Sequence, residues 1–115
     1  MKHKVLWRFY TLTCPITREV KYVGITSGSL QKRLREHLND KDYKEMAQWI
    51  DWLHSQGQLP IIEQIDFING TRKQAEHRES GWVYKYIRAG HNLINRDYIP
   101  GADREEFFDF LRNDH

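Results

Sequence analysis

Two kinds of rhythm alternate along the apolar and polar positions of this chain. Residues 5–13, VLWRFYTLT, and 19–26, EVKYVGIT, are dense in β-branched and aromatic residues and flank the turn-prone CPITR. Such residues suit the pleated surface of a sheet, so the two stretches predict an antiparallel hairpin. Successive side chains on a strand point to opposite faces, which places Leu6, Arg8, Tyr10 and Leu12 together and Val20, Tyr22 and Gly24 together on the partner. A suitable register turns both tyrosines the same way. After the TSGS turn the rhythm changes: Leu30, Leu34 and Leu38 recur at i, i+4 and i+8, the stripe of a helix N-capped by Ser29 and ending near Asp40. A second helix over about 42–55 follows from Met46, Ala47, Ile50 and Leu53, with Trp49 and Trp52 widening the stripe and Gly57 and Pro60 closing it. PIIEQIDFI then reads as a third strand, and NGTRKQ as the turn into a third helix over roughly 71–89.

These elements predict an α+β domain with a small three-stranded antiparallel sheet flanked by about three helices. Residues 1–115 form one domain with a core over about 5–98 and a short C-terminal helix at 102–113. No internal repeat, low-complexity tract or linker interrupts it. The third helix holds an anomaly. Its stripe runs Ala75, Trp82, Val83, Tyr86 and Ile87, and the position completing the spacing is Glu79. Burying an unpaired carboxylate costs on the order of several kcal/mol, so a buried Glu79 needs a cation, a proton or a water-filled pocket beside it. On a narrower stripe Glu79 lies at the solvated rim, and spacing alone fits both readings.

Composition changes the picture in three ways. Apolar residues make up 39% and aromatics 13%, so the mean hydropathy of -0.80 reflects a charged surface rather than a chain unable to fold. The net charge of +2 is unevenly divided: the tail DREEFFDFLRNDH holds five acids and two bases, leaving 16 Lys and Arg against 11 Asp and Glu in residues 1–102. That excess of +5 suits a polyanionic partner. No apolar run approaches the roughly 18 residues of a membrane helix, the start MKHKVLWRF does not resemble a signal peptide, and Cys14 is the only cysteine. The expected setting is reducing and cytoplasmic, without a membrane.

Arg33 and His37 flank the leucine stripe four residues apart and meet on one side of their helix. The ordinary reading is a solvated basic face; an arginine fork beside an imidazole also suits a phosphate. The run RFYTLTCPITREVKYVG resembles the two-tyrosine signature of the GIY-YIG nuclease family, with Tyr10 and Tyr22 separated by eleven residues and Gly24 two after the second. The resemblance extends to Arg33 and His37 in the following helix, to Glu79 three residues ahead of Trp82, and to Asn95 in the loop HNLINRD, where Asn92 competes with it. It covers residues 7–96. The first glycine of the signature is absent, since Arg8 and Phe9 precede Tyr10.

The resemblance implies a small stand-alone endonuclease hydrolysing phosphodiester bonds in DNA, which is either double-stranded, single-stranded or branched. Tyr10, Tyr22, Arg33, His37, Glu79 and Asn95 become its catalytic set, and Gly24, Lys32, Arg33 and Arg35 its substrate-binding candidates. Glu79 is the implied ligand of one Mg²⁺ or Mn²⁺ ion, which keeps most of its water shell when a single carboxylate holds it. Arg33 clamps the phosphate. Tyr10 resembles the family's general base, yet a free phenol with pKa near 10 is a poor base at neutral pH, so Arg33, the metal or His37 must assist it, or His37 is itself the base. Gly24 beside Tyr22 suggests close approach of a ligand backbone. A domain of this size acts as a monomer or weak dimer. Two other classes stay open: a non-catalytic nucleic-acid binding module of the same fold, and a protein-interaction domain using the tail EEFFDFL.

Overall fold

A computed structural model describes residues 4–96, in the order β1 (Val5–Thr13), β2 (Val20–Thr26), α1 (Leu30–Asn39), α2 (Lys44–Ser55), β3 (Ile61–Gly70) and α3 (Arg72–Arg88). The helix expected at 102–113 lies outside the described residues. The strands pair antiparallel in the order β2-β1-β3, so the fold is α+β, a three-stranded sheet with three helices. Among the described residues no helix is long and apolar enough to cross a membrane.

The first hairpin strand, not the second, is central. α1 and α2 cover the sheet face that carries Tyr10, Leu12 and Tyr22, through Leu30, Leu34, Leu38, Met46 and Ile50. α3 covers the opposite face, where Ala75 and Val83 meet Trp7, Phe9, Val20 and Val23. Alternation along β1 therefore separates two cores rather than core from solvent, and Phe9, Tyr10, Thr11 and Leu12 are buried in succession.

Simple alternation fails at one place in the hairpin. Leu12 pairs with Tyr22 and Thr13 with Val20, which leaves Lys21 as the extra residue of a bulge. One added residue flips everything beyond it to the other face. Val20 consequently packs with Val23, Val83 and Leu93 instead of sharing the face of Tyr22 and Gly24.

Helix ends follow local chemistry. Ser29 Oγ accepts from the Lys32 N–H at 3.1 Å, and Thr71 with Gln74 forms a reciprocal capping box on α3. α2 and α3 finish with glycines in the left-handed region, Gly57 at φ 71° and Gly90 at φ 96°, and the following N–H groups return to Leu53 O and Tyr86 O. Trp52 is 43% exposed, so the buried stripe of α2 is the narrower Met46, Ile50 and Leu53.

β3 is tied to α3 by a carboxylate. Asp66 accepts from Arg78 Nε at 2.5 Å, Arg78 Nη2 at 3.1 Å and Trp82 Nε1 at 2.9 Å. Burial opposes its charge, but the Arg78 and Trp82 hydrogen bonds outweigh that and hold the carboxyl below its ordinary range. The clamp limits the rotation of α3 about its axis, and with it the direction of Glu79.

Candidate active site

The hairpin register sets Tyr10 directly across from Gly24 and Leu12 across from Tyr22, so both tyrosines stand on the α1 side of the sheet with ring centroids 6.2 Å apart. A methyl group at Gly24 would lie 2.5 Å from Tyr10 Oη, 2.6 Å from Tyr10 Cζ and 2.8 Å from Tyr22 Cε2. Gly24 thus makes room for the protein's own phenol ring. The close approach expected of a ligand backbone is made by Tyr10, because the two residues are cross-strand partners.

α1 lays Arg33 and His37 over this wall. Arg33 Nε donates to Tyr10 Oη at 3.0 Å, and Tyr10 Oη lies 2.7 Å from His37 Nε2. A guanidinium has no acceptor, so the hydroxyl's own proton is directed to the imidazole, whose Nε2 must be unprotonated. The electrostatics agree: burial, with the Arg33 charge second, pushes His37 down to about 4, so the ring is neutral near pH 7. Tyr22 packs edge-on against His37 with centroids 4.9 Å apart and holds the imidazole from the other side. Burial pushes Tyr10 up to about 12, partly offset by Arg33, and carries Tyr22 above its ordinary range.

Glu79 is inside the protein. Its residue is 4% exposed, and no hydrogen bond or ion pair with another described residue engages the carboxylate. No buried side-chain oxygen of the described residues is both closed to solvent and unpartnered, so the Glu79 oxygens open to water. Burial first and the Glu76 charge second push its carboxyl up to about 8, against the pull of Arg72 and Arg33. In turn its charge acts on both Tyr10 and Tyr22. The reading of Glu79 at a solvated rim is overturned, because Ala75, Glu79, Ser80 and Val83 form the buried side of α3.

An unpartnered carboxylate of this kind suits a hard cation. Among the described residues no group of three or more His, Cys, Asp or Glu gathers to hold a metal. Glu79 is the residue that would hold such an ion, with water supplying the remaining ligands.

Asn95 is 2% exposed and plays the part of a strand. Its Nδ2 donates to Val23 O at 2.7 Å and its Oδ1 accepts from Val23 N at 3.4 Å, pairing with the free edge of β2. Ile94 N also donates to Lys21 O at 2.6 Å, and His91 Nδ1 accepts from Val20 N at 3.0 Å. Asn95 therefore holds the last loop against the strand that carries Tyr22 and Gly24. Asn92 contributes only its backbone carbonyl, to Lys21 Nζ.

The basic candidates divide. Lys32 lines a pocket beside Arg33, whereas Arg35 is exposed and lies outside it. Three neighbours were not singled out from the sequence: Glu36, 3.8 Å from Arg33 Nη1; Arg72, drawn over the Trp7 ring at 5.4 Å; and Asp66, which orients α3. The i, i+3 spacing of Arg33 and Glu36 was the one available signal, since the other contacts join residues far apart in the chain.

No family model matches the chain, and neither a curated protein nor a solved structure matches it. The resemblance to GIY-YIG nucleases rests on the sequence positions named above.

Proposed function

We propose that the protein is a metal-dependent endonuclease of the GIY-YIG type that hydrolyses phosphodiester bonds in DNA. One observation carries this reading: a buried tyrosine hydroxyl is held between an arginine donor and a neutral histidine acceptor, within electrostatic reach of the Glu79 carboxyl, which has no hydrogen-bond or ion-pair partner among the described residues. Packing alone gives no reason to bring these four groups together. The basic body of the chain supports a polyanionic substrate.

Hydrolysis needs a deprotonated water, neutralisation of charge on phosphorus oxygens, and relief for the leaving alkoxide. Arg33 donates Nε–H to Tyr10 and has Nη1 in a loose ion pair with Glu36 at 3.8 Å, which a non-bridging phosphate oxygen would replace. Tyr10 Oη is closed to water in this structure, so the step requires that phosphate draw Arg33 off it; water at phosphorus then gives its proton to Tyr10 Oη as the Tyr10 proton passes to His37 Nε2, a net transfer from water to imidazole. A free phenolate, which the high Tyr10 pKa disfavours, never has to form. Burial is the larger cause of the depressed His37 and the Arg33 charge the second; phosphate bound at Arg33 offsets the second and raises the basicity of the imidazole. A Mg²⁺ ion bound at Glu79 would supply Lewis-acid stabilisation of the phosphoryl charge and the departing oxygen. Glu79 itself provides the anionic anchor, and Asn95 keeps the Tyr22 strand in place.

Cys14 is buried and without a disulfide, which accords with a reducing compartment such as the cytoplasm. The deciding experiment is cleavage of plasmid, single-stranded and branched DNA with Mg²⁺, comparing the wild type with Glu79→Ala. Cleavage by the wild type and its loss in the variant is the expected result. A wild type that binds DNA and never cuts it establishes a binding module, and a variant that cuts as well as the wild type removes Glu79 from the site.

A further inference from the structure

At the end of the sheet where β1 begins and β2 finishes, a pocket of about 350 Å³ opens between the first turns of α1 and α3. Its walls are Trp7, Ile25, Lys32, Arg33, Glu36 and Arg72, with the turn at residues 26–28 as its rim. The size lies within the range of ligand sites, about 300–1,000 Å³.

The charges in this pocket are unbalanced. Three ion pairs of the described residues, Lys21 with Glu19, Arg78 with Asp66 and Arg96 with Glu45, lie outside the pocket. In the pocket Glu36 faces Arg33, while Lys32 and Arg72 make no ion pair with any described residue. Three cations thus face one carboxylate in the pocket lining, with the Glu79 carboxyl also within electrostatic reach of Arg33 and Arg72.

Arg72 is also held ready. Its guanidinium lies 5.4 Å from the centre of the Trp7 ring, and Trp7 is fixed in turn by donating Nε1–H to Gly70 O at 3.1 Å. A flat cation on a rigid platform loses little side-chain freedom when an anion arrives.

We propose that this pocket is a second phosphate subsite, which holds the phosphodiester next to the scissile one through Arg72 and Lys32. The inference rests on the reading of Arg33 and Tyr10 as the seat of the scissile phosphate. Arg33 joins the two subsites, since it donates to Tyr10 and also lines the pocket. Two anchored phosphates set the direction and register of the strand across the Tyr10 hydroxyl, which one clamp leaves free to pivot.

The test is a salt series of DNA affinity, read by fluorescence anisotropy in Ca²⁺, for duplex and single-stranded oligonucleotides. Arg72→Ala and Lys32→Ala should each flatten the slope of log affinity against log salt by about 0.9 on duplex or about 0.7 on single strands. Arg72→Lys should keep the wild-type slope. So should Lys85→Ala, a control near the other end of α3, where the ammonium sits over Trp82 at 5.0 Å. Lys32 is exposed, so its variant carries the test if Arg72→Ala unfolds on uncovering Trp7. Unchanged slopes in folded Arg72→Ala and Lys32→Ala overturn the subsite. Unchanged slopes combined with wild-type binding of inorganic phosphate also overturn it, and make the pocket a small-anion site. Cleavage by the wild type with unchanged slopes removes only the subsite; flattened slopes without wild-type cleavage remove only the nuclease reading; a wild type that binds no DNA removes both.

Discussion

Gly24→Ala tests the packing on which the whole site depends. The backbone at Gly24 is ordinary strand, without a positive φ, so alanine meets no torsional objection and the effect is purely steric. The new methyl would stand 2.5 and 2.6 Å from two atoms of Tyr10 and 2.8 Å from one of Tyr22, against about 3.5–4.0 Å for an ordinary carbon contact. Nearly an ångström must be found. Tyr10 has 0% exposure and is held by Arg33 and His37, so it has no open direction in which to retreat. Overpacking of this kind costs about 1–3 kcal/mol, and a domain of about 100 residues loses roughly 4–8 °C in Tm for each kcal/mol. Misplacing a catalytic group by about 1 Å costs on the order of 10²-fold in rate. Thermal melting and plasmid cleavage by the same preparation should therefore show a Tm lower by at least about 4 °C and cleavage reduced roughly a hundredfold. A variant that keeps both the wild-type Tm and the wild-type rate refutes the argument that Gly24 exists to admit the Tyr10 ring.

Glu79→Gln should remove a pH-dependent penalty in metal-free buffer. With its carboxyl pushed up to about 8 from 4.5, the folded protein holds a proton that the unfolded chain gives up, so stability falls as pH rises through that window. At about 1.4 kcal/mol per tenfold change in proton affinity, the glutamine variant should gain on the order of 3–5 kcal/mol over wild type by pH 8 and almost nothing near pH 4.5. Urea titrations across that range check this, and a difference that does not vary with pH refutes it; Mg²⁺ should narrow the gap at pH 8. Tyr10→Phe should lower cleavage by roughly 10²–10⁴-fold with DNA affinity retained, and an unimpaired rate would end the proton-relay scheme. Asn95→Ala leaves Val23 N and O on the β2 edge without partners and should cost about 1–3 kcal/mol in urea denaturation, whereas Asn92→Ala should be close to neutral because only its backbone carbonyl is used.

Local chemistry explains how much of the site could be read in advance. Asn95 was distinguished from Asn92 only by the pairing of its side chain with Val23, a contact across 72 positions. Gly24 suggests close approach of a ligand backbone, but the group beside it is the Tyr10 ring on the neighbouring strand, and only the register identifies it. Arg72 carried no signal as the residue after a capping threonine, since its meaning comes from Trp7 at the start of β1.

By itself the sequence determined the elements and their ends, because helix stripes, strand propensity and caps such as Ser29 depend on neighbours within a few residues. It also put the chemical types in order: two tyrosines on a hairpin, Arg33 and His37 one turn apart, Glu79 in a later helix. Tertiary structure alone decided that β1 is central, that the Lys21 bulge sends Val20 to the α3 side, and that Glu79 is buried. Each of those depends on which distant surfaces are brought together, and periodicity along one element carries no information about the surface it will meet. Arg33 and His37 show the difference most plainly, since the same pair on a free helix is a solvated basic face and is joined through a buried hydroxyl only where Tyr10 lies beneath it.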